Sequence, residues 1–197
     1  SIRRVQASDV AAAQALMRRV VEEDFRTTYD PALHRDIDDI VGTYMTPGRH
    51  ALFVAIDDAS GSVVGTAGAR DGALHRGPDH LVARYGGGTT AQLVRVYVRR
   101  EDRRRGVARA LLARVIQFIL ADGRYTTISL HTFPHSPGAL AFWESVGTRV
   151  WAYERDPLQW YGIWGRRDFW RMAGEMQMIN SLLVHRFLSG EQPENEN

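Results

Sequence analysis

Leu93-Val94-Arg95-Val96-Tyr97-Val98-Arg99-Arg100-Glu101-Asp102-Arg103-Arg104-Arg105-Gly106-Val107-Ala108 is a strand that runs through a loop straight into a helix. The apolar run Thr90 to Val98, with Leu93, Val94, Val96 and Val98, reads as the strand. Gly106 to Ala121 is the strongest helix in the chain. Its apolar face is Val107, Leu111, Leu112, Val115, Ile116 and Ile119, and Gly123 stops it. The first-turn amides of such a helix lack internal partners and carry the positive end of its dipole, so they form a site for a pyrophosphate. Gly106 lets the backbone approach an anion, and Ala108 keeps the next turn small. Arg103, Arg104 and Arg105 add positive charge beside it. Arginines at a helix N-terminus oppose the dipole, so three in a row require another reason. No Gly-Lys-Ser/Thr follows, which excludes a P-loop, and the glycines are not at dinucleotide-fingerprint spacing.

Outward from this unit the elements are regular. Ile2 to Gln6 is a short strand, and Ser8 or Asp9 caps a helix carrying Val10, Ala13, Leu16, Met17, Val20 and Val21. Pro31 opens a second helix to about Met45, with Leu33, Ile37, Ile40, Val41 and Tyr44 on one side. His50–Asp57 and Ser62–Arg70 form a hairpin about Asp58-Ala59-Ser60-Gly61. A long polar loop, Asp71 to Thr89, precedes the central strand; loops of that length are functional or disordered. After the main helix come a strand, Tyr125 to Thr132, and a short helix, Ser136 to Val146. Thr148–Glu154 and about Arg166–Met172 read as closing strands, flanking the aromatic segment Trp160-Tyr161-Gly162-Ile163-Trp164. The order β-α-α-β-β-(loop)-β-α-β-α-β-β is a mixed α/β (α+β) sheet in one domain, residues 1–173. An amphipathic helix over 174–190, with Met176, Ile179, Leu182, Leu183 and Phe187 on one face, and a polar tail over 191–197 follow.

Composition bounds the function. The chain has 197 residues, 44% hydrophobic and 24% charged, with a net charge of +2, which does not predict a nucleic-acid binder. All 25 basic residues are arginine. Arginine stays protonated and resists acylation, although GC-rich codon usage explains the bias more simply. The chain contains no cysteine, which removes disulfides, thiolate metal sites and a thiol nucleophile. His75, His80, His131 and His135 match no ligand spacing, so no metal is expected. No long apolar run or secretory h-region is visible, and the expectation is a cytoplasmic protein without a membrane partner.

Arg103, Gly106 and Ala108, set between this strand and helix, match the Gln/Arg-x-x-Gly-x-Gly/Ala signature of the GNAT superfamily of acyl-CoA N-acyltransferases, which residues 2 to 173 resemble. The resemblance implies a mixed, mostly antiparallel sheet flanked by helices, here with an extra C-terminal helix. It implies acetyl-CoA, or another acyl-CoA, as co-substrate. The central strand would splay from its neighbour, with the backbone of Val96, Tyr97 and Val98 pairing with pantetheine. Arg103, Arg104, Arg105, Gly106, Val107, Ala108 and Arg109 would surround the pyrophosphate.

Two familiar proton-handling positions depart from the family pattern. In Ser136-Pro137-Gly138-Ala139-Leu140-Ala141-Phe142-Trp143, Ser136 replaces the usual asparagine and Trp143 the usual tyrosine. Both stay assigned to the CoA side by resemblance, with plain core the alternative for Trp143. An indole N–H is a donor and no usable acid. Gln92 stands at the usual glutamate base position and cannot accept a proton. Asp71, His75, Asp79, His80, Glu101, His131 and His135 have suitable chemistry. His131, at a strand end on the cleft side, is the expected catalytic base. Glu22, Glu23, Asp24, Tyr29, Asp36, Asp38 and Asp39 would suit a cationic amine acceptor or be a solvated helix face. The dense aromatics from Trp151 to Trp170 would wall a pocket, pack as core or bury a homodimer interface.

The function expected is transfer of an acyl group from acyl-CoA to an amine in a ternary complex. A non-catalytic acyl-CoA-binding domain is the alternative. Gly106→Glu places a carboxylate where the pyrophosphate would lie and is expected to abolish the thermal stabilisation by acetyl-CoA; unchanged affinity would locate the donor site elsewhere.

Overall fold

Ile2–Arg4 forms β1, and Asp9 fixes the start of the first helix behind it. The Asp9 carboxylate accepts the Gln6 N–H at 2.8 Å and both terminal nitrogens of Arg3 at 2.5 and 2.9 Å. The Arg3 hydrogen bonds outweigh burial and hold Asp9 below the usual carboxylate range. α1 (Val10–Arg19) runs on through a wide π turn, Val20–Asp24. The computed structural model describes residues 1–25, 27–72, 79, 83, 87–132, 138–146, 152–156 and 159–165. Most of the 71–89 loop, Ser136, the expected strand at 166–172, the helix at 174–190 and the tail at 191–197 lie outside those residues.

The second helix is shorter than its periodicity predicts. A turn at 31–33 leads into α2 (Arg35–Asp38), and a separate π turn covers Val41–Met45. Asp39 breaks the run. Its backbone leaves the helical region (φ −122°, ψ 70°), and its carboxylate accepts the Gly42 N–H at 2.8 Å. A side chain thus competes with the helix ladder. Ile37, Ile40 and Tyr44 are buried as expected, whereas Leu33 and Val41 face solvent.

β2 (Ala51–Ile56), β3 (Val63–Asp71) and β4 (Thr90–Val98) follow, then α3 (Val107–Asp122), β5 (Thr127–Thr132) and α4 (Ala139–Val146). β6 (Ala152–Asp156) and β7 (Gln159–Gly165) close the sheet. The aromatic segment expected to connect two strands is itself β7, paired antiparallel to β5 from Thr127↔Gly165 to Thr132↔Trp160. Trp, Tyr and Ile suit a pleated surface, and an available sheet edge recruits them.

The seven-stranded sheet has the order β1-β2-β3-β4-β5-β7-β6, antiparallel except between β4 and β5. Each face carries its own apolar layer. α3 packs Val107, Leu111, Leu112, Val115, Ile116 and Ile119 on one face, over Ala67, Ala69 and Leu93. α1, α2 and Tyr44 cover Leu52, Val54 and Val94 on the other. Gly65 permits close approach of α3: a Cβ there would lie 3.0 Å from Leu111 Cδ1 and 3.1 Å from the Tyr97 carbonyl oxygen. Among the described residues no helix is long and apolar enough to cross a membrane.

Arg49 ties the start of β2 to the end of α3. Its guanidinium lies 4.2 Å over the Tyr125 ring and donates to Asp71 at 2.6 Å and to Asp122 at 3.3 Å. Hydrogen bonds from Arg124, then Arg49, offset burial and bring the Asp122 carboxyl down to about 2. A depressed carboxylate stabilises the fold above its unfolded value and loses that contribution as pH falls through the folded one. Asp122→Asn should therefore cost about 1–3 kcal/mol at neutral pH. The gap from wild type should close between 3.8 and about 2, read by denaturant unfolding along a pH series.

Candidate active site in the cleft between the central strands

The cleft arises because β4 and β5 stay together for three residues only. Thr90↔Thr127, Ala91↔Ile128 and Gln92↔Ser129 pair in parallel; from Leu93 to Val98, β4 has no β5 partner. Among the described residues this side of β4 from Leu93 onward is an unpaired β-edge inside the sheet, with which an extended ligand can pair. Val96, Tyr97 and Val98 all lie on this free stretch.

A bulge at Arg95 sets the directions of the side chains. The β3–β4 register jumps from Thr66↔Tyr97 to Gly68↔Val94, and Arg95 takes a left-handed conformation (φ 53°). Without the extra residue, strict alternation would send Arg95 towards α3. With it, Val94 and Tyr97 share the α1/α2 face while Val98 joins the α3 core. Thr66 Oγ1 donates to the Arg95 carbonyl at 2.8 Å, satisfying the backbone group at the bulge. Arg95 then reaches α2, its Nε and one terminal nitrogen donating to the two oxygens of Asp36 at 2.8 and 2.6 Å. Its other terminal nitrogen donates to the Tyr97 hydroxyl at 3.1 Å, and the Tyr44 hydroxyl donates to Asp36 at 2.6 Å. Burial opposes the charge on Asp36, yet the Arg95 hydrogen bonds keep its carboxyl below the ordinary range. Burial pushes the Tyr44 hydroxyl well up, reinforced by Asp36, and also raises Tyr97.

The loop after β4 holds its shape by its own ion pairs. Buried Asp102 accepts from Arg99 at 2.6 Å and from Arg105 at 2.7 Å. Arg103 turns inward, donating to the Val98 carbonyl at 3.0 Å and pairing with Asp24 on the turn after α1. Arg104 (φ 64°) and Gly106 (φ 79°) are left-handed, and this double reversal delivers the chain to the start of α3. The Ala108 and Arg109 amides, like that of Val107, precede the first helical hydrogen bond, made by Ala110 N–H to the Gly106 carbonyl. Among the described residues the Arg104 guanidinium has no side-chain partner. Arg109 donates to Ser145 at 2.9 Å, joining α3 to α4. Trp143 is buried in the α3-side core, its ring edge-on to Phe142 with centroids 5.0 Å apart.

A polar row crosses the sheet on the α1/α2 face at the point where the strands part. Arg70 on β3 donates from Nε to Gln92 Oε1 at 2.9 Å, which turns the Gln92 amide nitrogen to within 3.5 Å of His131 Nδ1. Ser129, one alternation before His131, is fully buried, and its hydroxyl has no hydrogen-bond partner among the described residues. His131 touches solvent along the cleft, yet desolvation, with the charges of Arg95 and Arg70, lowers its pKa from 6.5. Neutral imidazole is thus the prevailing form at physiological pH.

Other base candidates are differently placed. Asp71 is engaged by Arg49, and Glu101 lies 3.4 Å from Arg19 on the loop before α3. Asp79 is exposed. His75, His80 and His135 lie outside the described residues. Most of the acidic set expected to attract a cation is neutralised internally: Asp36 by Arg95, Asp24 by Arg103, Asp38 by Arg18 and Glu23 by Arg19. Arg70 and Arg95, the cations that define the cleft's field, were not singled out by pattern. Their pairing with Asp36 and Gln92 spans α2, β3 and β4 and leaves no local spacing signal.

Residues 14–148 match the family model of the acetyltransferase (GNAT) family. The chain is 33% identical over 120 residues to the N-acetylaspartate synthetase of Danio rerio, covering 61% of this chain and 37% of that protein. It is 32% identical over 115 residues to N-acetyltransferase 8 of Rattus norvegicus, covering 58% and 46%. It therefore spans less than half the length of these curated relatives. Among solved structures, a GNAT-family acetyltransferase of Staphylococcus aureus Mu50 superposes with a TM-score of 0.65 at 16% identity, over 84% of this chain and 98% of that one. A GCN5-related N-acetyltransferase from Kribbella flavida gives 0.60 at 25%, over 80% and 87%. A Salmonella typhimurium protein of this fold, solved with its cofactor acetyl-CoA, gives 0.59 at 18%, over 84% and 93%.

Removing one member of the Asp36–Arg95 pair strands a buried charge. Asp36→Ala is expected to cost about 3–5 kcal/mol, and Asp36→Ala combined with Arg95→Met less than that, as read by urea unfolding. Equal costs for the single and double variants would deny the coupling.

Proposed function

We propose that this chain, which belongs to the acetyltransferase (GNAT) family, transfers an acyl group, acetyl above all, from acyl-CoA to an amine of a small molecule or peptide by direct attack in a ternary complex. The observation that carries this reading is the free β4 edge leading into the left-handed turn at Arg104–Gly106 and the open amides of α3. These residues fit CoA: the edge can pair with an extended pantetheine amide chain, and the helix start with Arg104 can take a pyrophosphate. The structure of the Salmonella typhimurium neighbour with acetyl-CoA supports the same donor class.

Acyl-CoA supplies an activated thioester carbonyl. Attack joins the acceptor nitrogen to that carbon, the carbon–sulfur bond breaks, and the nitrogen sheds a proton. The free β4 amides hold the donor and offer hydrogen bonds to the carbonyl oxygen as it gains charge. His131 takes the proton. Because Arg70 occupies the Gln92 amide oxygen, the Gln92 amide nitrogen faces His131 Nδ1, a contact that suits the tautomer with its lone pair there. That contact is long enough for an amine, or a water carrying its proton, to displace it. Trp143, packed in the core, leaves the departing sulfur to take a proton from solvent.

The N-acetylaspartate synthetases among the relatives are named for an acylated amino acid, which supports a small acceptor. Release of CoA thiol across an amine panel tests the reading. His131→Gln should lower kcat by about 10²–10⁴-fold while thermal stabilisation by acetyl-CoA persists. In the wild type, kcat/KM should fall with acid along a limb below 6.5, the side to which His131 is shifted. A limb that survives in His131→Gln would assign the base to another group, and binding without thiol release would make the domain a sensor.

A further inference from the structure

Among the described residues, Arg70 and Arg95 stand against one carboxylate, Asp36, on the sheet face around His131. Asp36 is the acidic group in this polar cluster, and its two oxygens are taken up by Arg95 and Tyr44. Arg95 spends all its nitrogens on Asp36 and Tyr97. Arg70 differs. It uses Nε on Gln92, and among the described residues its two terminal nitrogens have no partner. Gln92 contributes no charge to balance it. A half-buried guanidinium fork therefore stands one side chain from His131, joined to it through Gln92 at 2.9 and 3.5 Å.

That arrangement discriminates between acceptors. A simple cationic amine would bring a second positive charge next to Arg70, with the internal carboxylates already paired. An acceptor carrying its own carboxylate supplies the missing counter-charge, and a planar guanidinium binds a carboxylate through two parallel hydrogen bonds. The glutamine at position 92 belongs to the same device. A glutamate there would pair with Arg70 and consume its charge; glutamine holds the guanidinium by one hydrogen bond and leaves the fork available.

We infer that Arg70 is the acceptor-recognition residue of this cleft, and that it selects amines bearing a nearby carboxylate, such as free amino acids, over neutral or polycationic amines. This rests on the cleft at His131 being the site of acyl transfer. Arg70 acts here by binding and orienting; the proton remains the business of His131.

The test uses the full chain, acetyl-CoA and matched acceptors: free amino acids, the corresponding carboxamides and a polyamine, compared per deprotonated amine. The carboxylate members should be favoured in kcat/KM by about 10- to 100-fold. Arg70→Gln should collapse the ratio of carboxylate to carboxamide towards one, mainly through KM for the carboxylate, and Arg70→Lys should recover part of it. Gln92→Glu should also collapse the ratio, although it leaves Arg70 in place. Thermal stabilisation by acetyl-CoA verifies that each variant is folded and still takes the donor. Thiol release that is as fast with carboxamides or polyamine as with amino acids would overturn this inference and leave acyl transfer standing. A preference unchanged in Arg70→Gln would assign it to another residue. No release with any acceptor would overturn the transfer reading together with it.

Discussion

The bulge at Arg95 governs the geometry of everything around it. A non-glycine residue in the left-handed region is strained by about 1–2 kcal/mol, so it persists only where its surroundings over-determine it. Here they do. Asp36 holds the side chain with two hydrogen bonds, and Thr66 holds the carbonyl with a third. The extra residue reverses the alternation of β4, putting Tyr97 on the α1/α2 face and Val98 on the α3 face. It lies on the stretch where β4 and β5 are no longer paired. One local irregularity thus coincides with an internal free edge, a shift of side-chain direction and an anchor between helix and sheet.

Ion pairs elsewhere in the chain do similar positional work. Asp102 gathers Arg99 and Arg105, and Arg103 turns in towards Asp24, so two of the three loop arginines brace the turn into α3. Their charge still contributes to the field at the helix start, but their hydrogen bonds are directed inward. Arg104, left-handed and exposed, has no side-chain partner among the described residues. The arginines of these pairs remain partly exposed, which screens their charge and limits what each pair adds to stability. Their effect here is positional: they hold the shape of the loop that leads into α3.

The electrostatics of the cleft divide into a closed part and an open part. Asp36, Arg95, Tyr44 and Tyr97 satisfy one another and form a rigid floor. Arg70, Gln92 and His131 form a row above the strand junction, where among the described residues the terminal nitrogens of Arg70 and the buried Ser129 hydroxyl lack partners. Unsatisfied polar capacity inside a protein is costly, and it concentrates where a ligand is meant to complete it. The lowered pKa of His131 has the same origin, since withdrawal of water and two neighbouring cations both disfavour its charged form.

Much of this was legible in the sequence where short-range rules apply. The strand from Thr90 to Val98 matches β4 to the residue, the helix from Gly106 matches α3 to within a position, and the hairpin of β2 and β3 follows its turn signal. Alternation, helical spacing and capping residues act within a few positions, so sequence order alone determines them. Asp39 ended a helix that periodicity would have continued, because a side-chain hydrogen bond outcompeted the backbone ladder. The aromatic run became β7 because β5 offered it an edge, which no property of the run itself records. Only the tertiary structure decided which acids were already neutralised, that Arg70 kept its fork free, and that Gln92 links Arg70 to His131. Those relations join residues from α2, β3, β4 and β5, and charge compensation depends on distance in space, which spacing along the chain does not encode.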